Sequence, residues 1–356
     1  KTLSDLREKE DNIEHDRLDN IKYTSKHYNV RTMVSKYLSL KQNCSKSTIV
    51  RYETAYKHIE GSWFGLLPMK EVIKSQVIRF YNELALKMTN AGIIKINTIL
   101  FPAFELAVSD GLIRVNPAKD MVKLFPCDTE EKEPLSEKEV SNLLDYIQQH
   151  TCYKKFYPLV VMMLETMLRG SELCGLTWDD VDFEERIIKI DHQLLYQKCK
   201  GDNKAKFYID TPKTKNSIRE IPLTKKAYDA LRMQQKFLLS TNRLPTVEID
   251  GYKNFIFLTR NGKPYNYRQL NNVNARIVKS YNKKHKDEPL PKITNHTYRH
   301  TGCARFSKIF YKNGIDIKIL QNWMGHASLR TTLDIYNHAN KEDIKNAVEN
   351  IDLFTA

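Results

Sequence analysis

The chain has 356 residues, 41% of them hydrophobic and 28% charged, which is enough for two or more domains with cores of their own and excludes an intrinsically disordered chain. Lys and Arg outnumber Asp and Glu by 57 to 43, giving a formal net charge of +14, so a polyanionic partner is expected and nucleic acid is the commonest one. No apolar run approaches the roughly 18 residues of a membrane span, and the polar opening Lys1–Glu10 lacks a signal-peptide pattern. The start at Lys1 in place of Met leads us to expect upstream sequence.

In chain order, residues 2–21 read as an amphipathic helix, with Leu3, Leu6, Ile13, Leu18 and Ile21 near helical spacing. Residues 28–117 read as all-helical. Thr32–Leu40, Ser47–His58, Lys74–Met88 and Ala91–Asp110 each repeat apolar residues every three to four positions, Ser47 standing as N-cap. Gly111 ends the last of these helices and Asn116-Pro117 closes the region. The stretch 120–134 carries prolines and the charged run Asp128–Glu133, and reads as a linker.

A second domain opens with Ser136 and Glu139, a Ser-x-x-Glu capping box. Helices are predicted over 136–149 and 154–168. Strands follow at Ile187–His192, Lys206–Asp210 and Ile218–Pro222, with Thr211–Ser217 as a hairpin loop in one small antiparallel sheet. Helices return at 224–239, 267–284, 296–313, 315–323 and 328–336, with a tail helix at 340–351. The fold class is mainly α with a small antiparallel β-sheet. Cys44, Cys127, Cys152, Cys174, Cys199 and Cys303 fit neither a disulfide nor a zinc framework, as in a cytoplasmic protein, and Cys303 reads as a packing residue.

Four segments carry chemistry: "TMLRGSELCGLTWDDVDF" (166–183), "TPKTKNSIREIPL" (211–223), "HTYRHTGCARF" (296–306) and "GHASLRTTLDIYNHA" (325–339). In this order the chain resembles the tyrosine recombinase family of phage and conjugative-transposon integrases. The order is Arg169, then Lys213, then His296 with Arg299, then His326 and Tyr336. Lys215 is the alternative to Lys213. Met167 stands where the family commonly has Gly, and Tyr298 where it commonly has Leu.

The resemblance implies an N-terminal coupling helix (1–27), an all-helical core-binding domain on DNA (28–119), a linker (120–134), an α+β catalytic domain (135–339) and a C-terminal tail helix (340–356). It also implies a 3′-phosphotyrosyl intermediate, double-stranded DNA with attachment or crossover sites as substrate, and a homotetramer on DNA that exchanges its tails. Accessory DNA-bending or excision factors and a bacterial, nucleoid-associated location go with it. No membrane, cofactor, metal or ATP is implied.

The residue chemistry supports the same reading. Attack on a phosphodiester needs cations at the nonbridging oxygens and a proton for the leaving 5′ oxygen. Arg169 and Arg299 offer planar forks of donors, worth about 3–4 kcal/mol each in a dry site. Tyr336, with an ordinary phenol pKa of about 10, needs a base, and His296 can serve. Lys213, or Lys215 in its place, would act as general acid, and His326 would hydrogen-bond the phosphate. Glu172 reads as a structural partner for an arginine, Trp178 as core, and His300 as packing beside the site. A metal held by His296 and His300 is disfavoured by Arg299 between them. The competing functions are a silent DNA-binding protein on the same fold, a type IB topoisomerase, and a metal-dependent nuclease, for which no carboxylate cluster is visible.

Overall fold

The structure, a computed structural model, describes residues 28–41, 43–126, 133–199, 201–211 and 217–325. The expected helix at 2–21, Lys213 and Lys215, His326 and Tyr336, and the helices at 328–336 and 340–351 lie outside the described residues. The chain divides into two units, residues 1–130 with 198–203, and residues 131–197 with 204–356.

In the first unit the described helices are α1 (Val30–Ser39), α2 (Lys46–Glu60), α3 (Trp63–Leu66), α4 (Lys74–Ala85) and α5 (Asn90–Ser109). Asn29 and Thr32 cap α1 reciprocally, each side chain accepting the other's backbone N–H, at 2.9 and 3.0 Å. Ser45, not the expected Ser47, caps α2. Its hydroxyl accepts the Thr48 N–H, and Ser47 already lies inside the helix. The short α3 went unpredicted because four residues are too few to show a period.

α5 stops at Asp110, as expected, with Gly111 left-handed at φ 69° and the Leu112 N–H returning to the Ala107 carbonyl. At 20 residues, α5 is long and apolar enough to cross a membrane by length and composition, which corrects the reading that no such run exists. Its Ile93, Ile96, Ile99, Leu100 and Phe104 are buried in the unit's own core, where Phe64 and Phe80 stack at 4.6 Å. It is a core helix.

In the second unit, α6 (Glu137–Gln149) starts at the expected Ser136–Glu139 capping box. α7 (Tyr157–Thr166) is buried from Pro158 onward and forms the centre of the unit. Against it pack α9 (Lys225–Ser240) and α11 (Asn295–Lys312), whose Gly302 leaves no room for a Cβ beside the Leu164 carbonyl and Met167 Cγ. Each fully buried Leu or Val here contributes about 1.5–3 kcal/mol. α8 (Gly170–Gly175), α10 (Tyr267–Lys284) and α12 (Ile317–Met324) complete the described α-helices.

The strands are β1 (Val181–Asp182), β2 (Ile187–Ile190), β3 (Gln193–Gln197), β4 (Lys206–Asp210) and β5 (Arg219–Pro222). They form two antiparallel sheets, β1-β2-β5 and β3-β4. Two expectations are corrected here. Among the described residues the strands form two sheets, not one, and β4 does not pair with β5: β4 pairs with β3 and β5 with β2, while residues 212–216 of the expected hairpin loop lie outside the described residues. The register sets Ile188 opposite Ile221 on the buried face, so β5 gains more by pairing with β2. The run read as one strand to His192 breaks at Asp191, where the chain changes sheets.

Candidate active site

The first element of the site is a break in a helix. α7 ends at Thr166, and Met167 turns left-handed at φ 53°, a conformation rare for a residue with a side chain. Met167 is fully buried with Cys303, Phe306 and Leu320, so packing holds the turn. Cys303 is the packing residue expected. The turn delivers Arg169 as the N-cap of α8, its backbone N–H donating to Glu172 Oε2 at 2.9 Å. Gly170 is required next, because a Cβ there would lie 2.6 Å from the Tyr267 ring.

Glu172 is 3% exposed and carries a cluster of guanidinium groups. Arg169 donates to Oε1 at 2.7 Å, and Arg219 reaches Oε2 at 2.9 Å and Oε1 at 3.3 Å. Burial alone would raise the Glu172 carboxyl; Arg219 first, then Arg169 and Arg299, outweigh it and hold the group down at about 2. Burial, and then the neighbouring Arg169, pull the Arg299 guanidinium below the usual arginine range.

The same arginines gather the carbonyl end of α12. Arg219 Nε donates to the Trp323 carbonyl at 2.7 Å, an Arg299 terminal nitrogen to the Met324 carbonyl at 2.6 Å, and Arg169 to the Gly325 carbonyl at 3.1 Å. The other terminal nitrogen of Arg299 donates to the Met167 carbonyl. The negative end of the helix dipole thus faces the cluster. Arg299 is buried, whereas the Arg169 side chain keeps 38% of its surface open.

α11 supplies both His296 and Arg299, three positions apart. Asn295, just before His296, is fully buried. Its amide donates to the Tyr267 carbonyl, its Oδ1 accepts from Asn274, and its N–H donates to Asn271. His296 is exposed, and its ring stands perpendicular to that of His300 at 4.3 Å between centroids.

The structure therefore brings Arg169 and Arg299 together, with His296 on the same helix as Arg299. Lys213, His326 and Tyr336 lie outside the described residues. The described neighbours of two of them sit on the cluster: Ser217, closing the 212–216 segment, gives its carbonyl to Arg219 at 3.0 Å, and Gly325 precedes His326.

Residues 133–343 match the phage integrase family. The chain belongs to that family. The transposase from transposon Tn916 of Enterococcus faecalis is 38% identical over 238 residues, which are 67% of this chain. This chain spans just over half of that relative, 56% of its length. A tyrosine recombinase XerC-like protein from Caldanaerobacter subterraneus subsp. tengcongensis is 30% identical over 328 residues, 86% of this chain and 78% of the relative. Among solved structures, the Tn1549 transposon integrase in complex with a circular intermediate DNA superposes with a TM-score of 0.79 at 33% identity, covering 91% of this chain and 99% of that one.

Within this phage integrase family chain, the expectation that Glu172 serves an arginine holds, and it serves two. Arg219 was missed. Its signal lay in strand alternation: Arg219 shares a face with the buried Ile221 and pairs with Ile190, so a charge was pointing inward and needed a partner. Trp178 is half-buried and stacks on Phe183.

Among the described residues, Asp180, Asp191 and His192 are the one carboxylate and imidazole group close enough to share an ion, their ligand atoms lying within 4.8 Å. These atoms already serve the fold. His192 binds Asp191 and the Gly175 carbonyl at 2.8 Å each, and Asp180 accepts both the N–H and the hydroxyl of Thr177. They tie the start of β3 to the end of α8.

Proposed function

We propose that this chain is a site-specific DNA recombinase that cleaves and rejoins duplex DNA through a 3′-phosphotyrosyl bond to Tyr336, inserting or excising a mobile element. The observation that carries the reading is the cluster of Arg169 and Arg299 around one carboxylate, within a family match that also contains Lys213, His296, His326 and Tyr336. Arg169 is the accessible fork. Arg299 lies beneath it, and each of its terminal nitrogens has a second proton beyond the one given to a carbonyl. Together they neutralise charge on the pentavalent phosphate.

Tyr336 attacks phosphorus, His296 takes the phenol proton, and Lys213, with Lys215 as the alternative, protonates the departing 5′ oxygen. His326 hydrogen-bonds the phosphate. The phosphotyrosyl link conserves the bond energy, so a second 5′ hydroxyl reverses the step without ATP. Residues 28–119 act as the core-binding domain and 135–339 as the catalytic domain, closing on duplex DNA at the bacterial nucleoid. Exchange between two duplexes needs four active sites, hence a tetramer. Residues 340–356 dock on a neighbouring subunit, and accessory DNA-bending or excision factors set the direction. The Tn1549 relative was solved with DNA bound, which supports duplex DNA as substrate.

The test is incubation with a nicked duplex selected from a random pool for binding to this chain. The wild type should yield a protein–DNA adduct that survives denaturation, in EDTA and without ATP, and Tyr336→Phe should yield none. No adduct from the wild type, or an equal amount from Tyr336→Phe, overturns the reading.

A further inference from the structure

We infer that Arg219 is a positioning residue of the catalytic centre, holding three of its segments in register without touching the phosphate itself. The inference rests on the recombinase reading above and concerns a side chain outside the catalytic six.

All three nitrogens of Arg219 are committed. Nε donates to the Trp323 carbonyl at 2.7 Å, one terminal nitrogen to the Ser217 carbonyl at 3.0 Å, and the other to Glu172 Oε2 at 2.9 Å. Its side chain is 6% exposed, and four of its five N–H donors go to these protein acceptors, the Ser217-bound nitrogen also reaching Glu172 Oε1 at 3.3 Å, whereas Arg299 gives only two to carbonyls. Each partner belongs to a different part of the site. Glu172 holds the Arg169 guanidinium and its backbone N–H. Ser217 closes the segment that carries Lys213. Trp323 sits in the last turn of α12, two residues before Gly325, whose carbonyl Arg169 also binds.

The fork geometry decides why this residue is arginine. A planar guanidinium serves a carboxylate and two carbonyls lying in different directions, and a lysine ammonium in the same space cannot span them. Without Arg219, Glu172 keeps only Arg169 as a hydrogen-bonded cation, Oε2 is left to the Arg169 backbone N–H, and the buried carboxylate loses its largest stabilising charge. The Arg169 fork then loses its fixed direction, and the chain entering His326 loses a donor. A displacement on the order of 1 Å in such a site costs about 100-fold in rate.

The experiment compares wild type, Arg219→Lys, Arg169→Lys and the double variant in single-turnover adduct formation on the pool-selected nicked duplex. DNA affinity and urea unfolding of each protein are measured alongside. Arg219→Lys should slow adduct formation about 10- to 100-fold while DNA affinity changes less than about threefold. The double variant should be little slower than the slower single one, because the two arginines act through one carboxylate.

Should Arg219→Lys lose its cooperative unfolding transition, the pair Arg219→Gln with Glu172→Gln removes both charges together and must show the same slow chemistry at unchanged affinity. Wild-type rates in the folded variants, a rate loss matched by an equal affinity loss, or multiplying effects in the double variant would each overturn the inference. Those results leave the recombinase reading intact. A wild-type chain that forms no adduct removes that reading and this inference together.

Discussion

The interiors of the two units are built from different materials. Among the described residues of the first unit, Asn116 is the only buried polar side chain, and it closes a turn by bonding the Phe101 carbonyl, Glu105 and the Ala118 N–H. The second unit buries Glu165, Glu172, His192, Asn274, Asn295 and Arg299 beside its apolar core. Burying charge is expensive unless every charge is paired. The interior of the first unit is therefore held mainly by apolar packing, whereas the second accepts costly groups where the proposed chemistry needs guanidinium forks in a dry place. The difference says which unit should respond to charge and which to local structure.

The sharpest way to break this contrast is Glu172→Ala. It leaves Arg219 buried without its carboxylate and should cost about 3–5 kcal/mol. Urea unfolding in a Trp63→Phe background, read by Trp178 and Trp323, reports the second unit. A loss under about 1 kcal/mol would mean that the arginines do not depend on Glu172.

Acid should separate the units next. Glu172 titrates at about 2 in the folded chain against a usual 4.5. Its folded value is depressed, so its contribution is complete above about pH 4.5 and disappears as pH falls towards 2. The loss is roughly 3 kcal/mol. The same tryptophans should register it, and Glu172→Gln should flatten that stretch of the curve.

The smallest effect lies in the first unit and is purely local. Ser45→Ala should cost about 1 kcal/mol through the lost cap of α2, and Ser47→Ala next to nothing. Equal losses in thermal unfolding would restore Ser47 as the cap.

Local signals were legible in the sequence and long-range ones were not. The Ser136–Glu139 box, the stop at Gly111 and the span of α10 depend on residues a few positions apart, and each was readable. Ser45 and Ser47 are both plausible caps in sequence, and only the geometry of the Thr48 N–H separates them. The division into two sheets depends on which distant strand each one meets, and alternation within a strand is silent on that. The site follows the same rule. Arg169, His296 and Arg299 were expected from short motifs, and the structure brings the two arginines together. Arg219 acquires its role from a carboxylate 47 positions away and from the end of a helix more distant still.

Gly302 and the left-handed Met167 give the arrangement a particular kind of durability. Where α11 crosses α7, main chain lies almost against main chain, with no methyl group between them. The separation of Arg169 and Arg299 is thereby set by a backbone contact as well as by the packing that holds the Met167 turn. Any side chain added at position 302 would wedge the two helices apart and turn the forks away from each other, so the site's geometry hangs on one missing methyl.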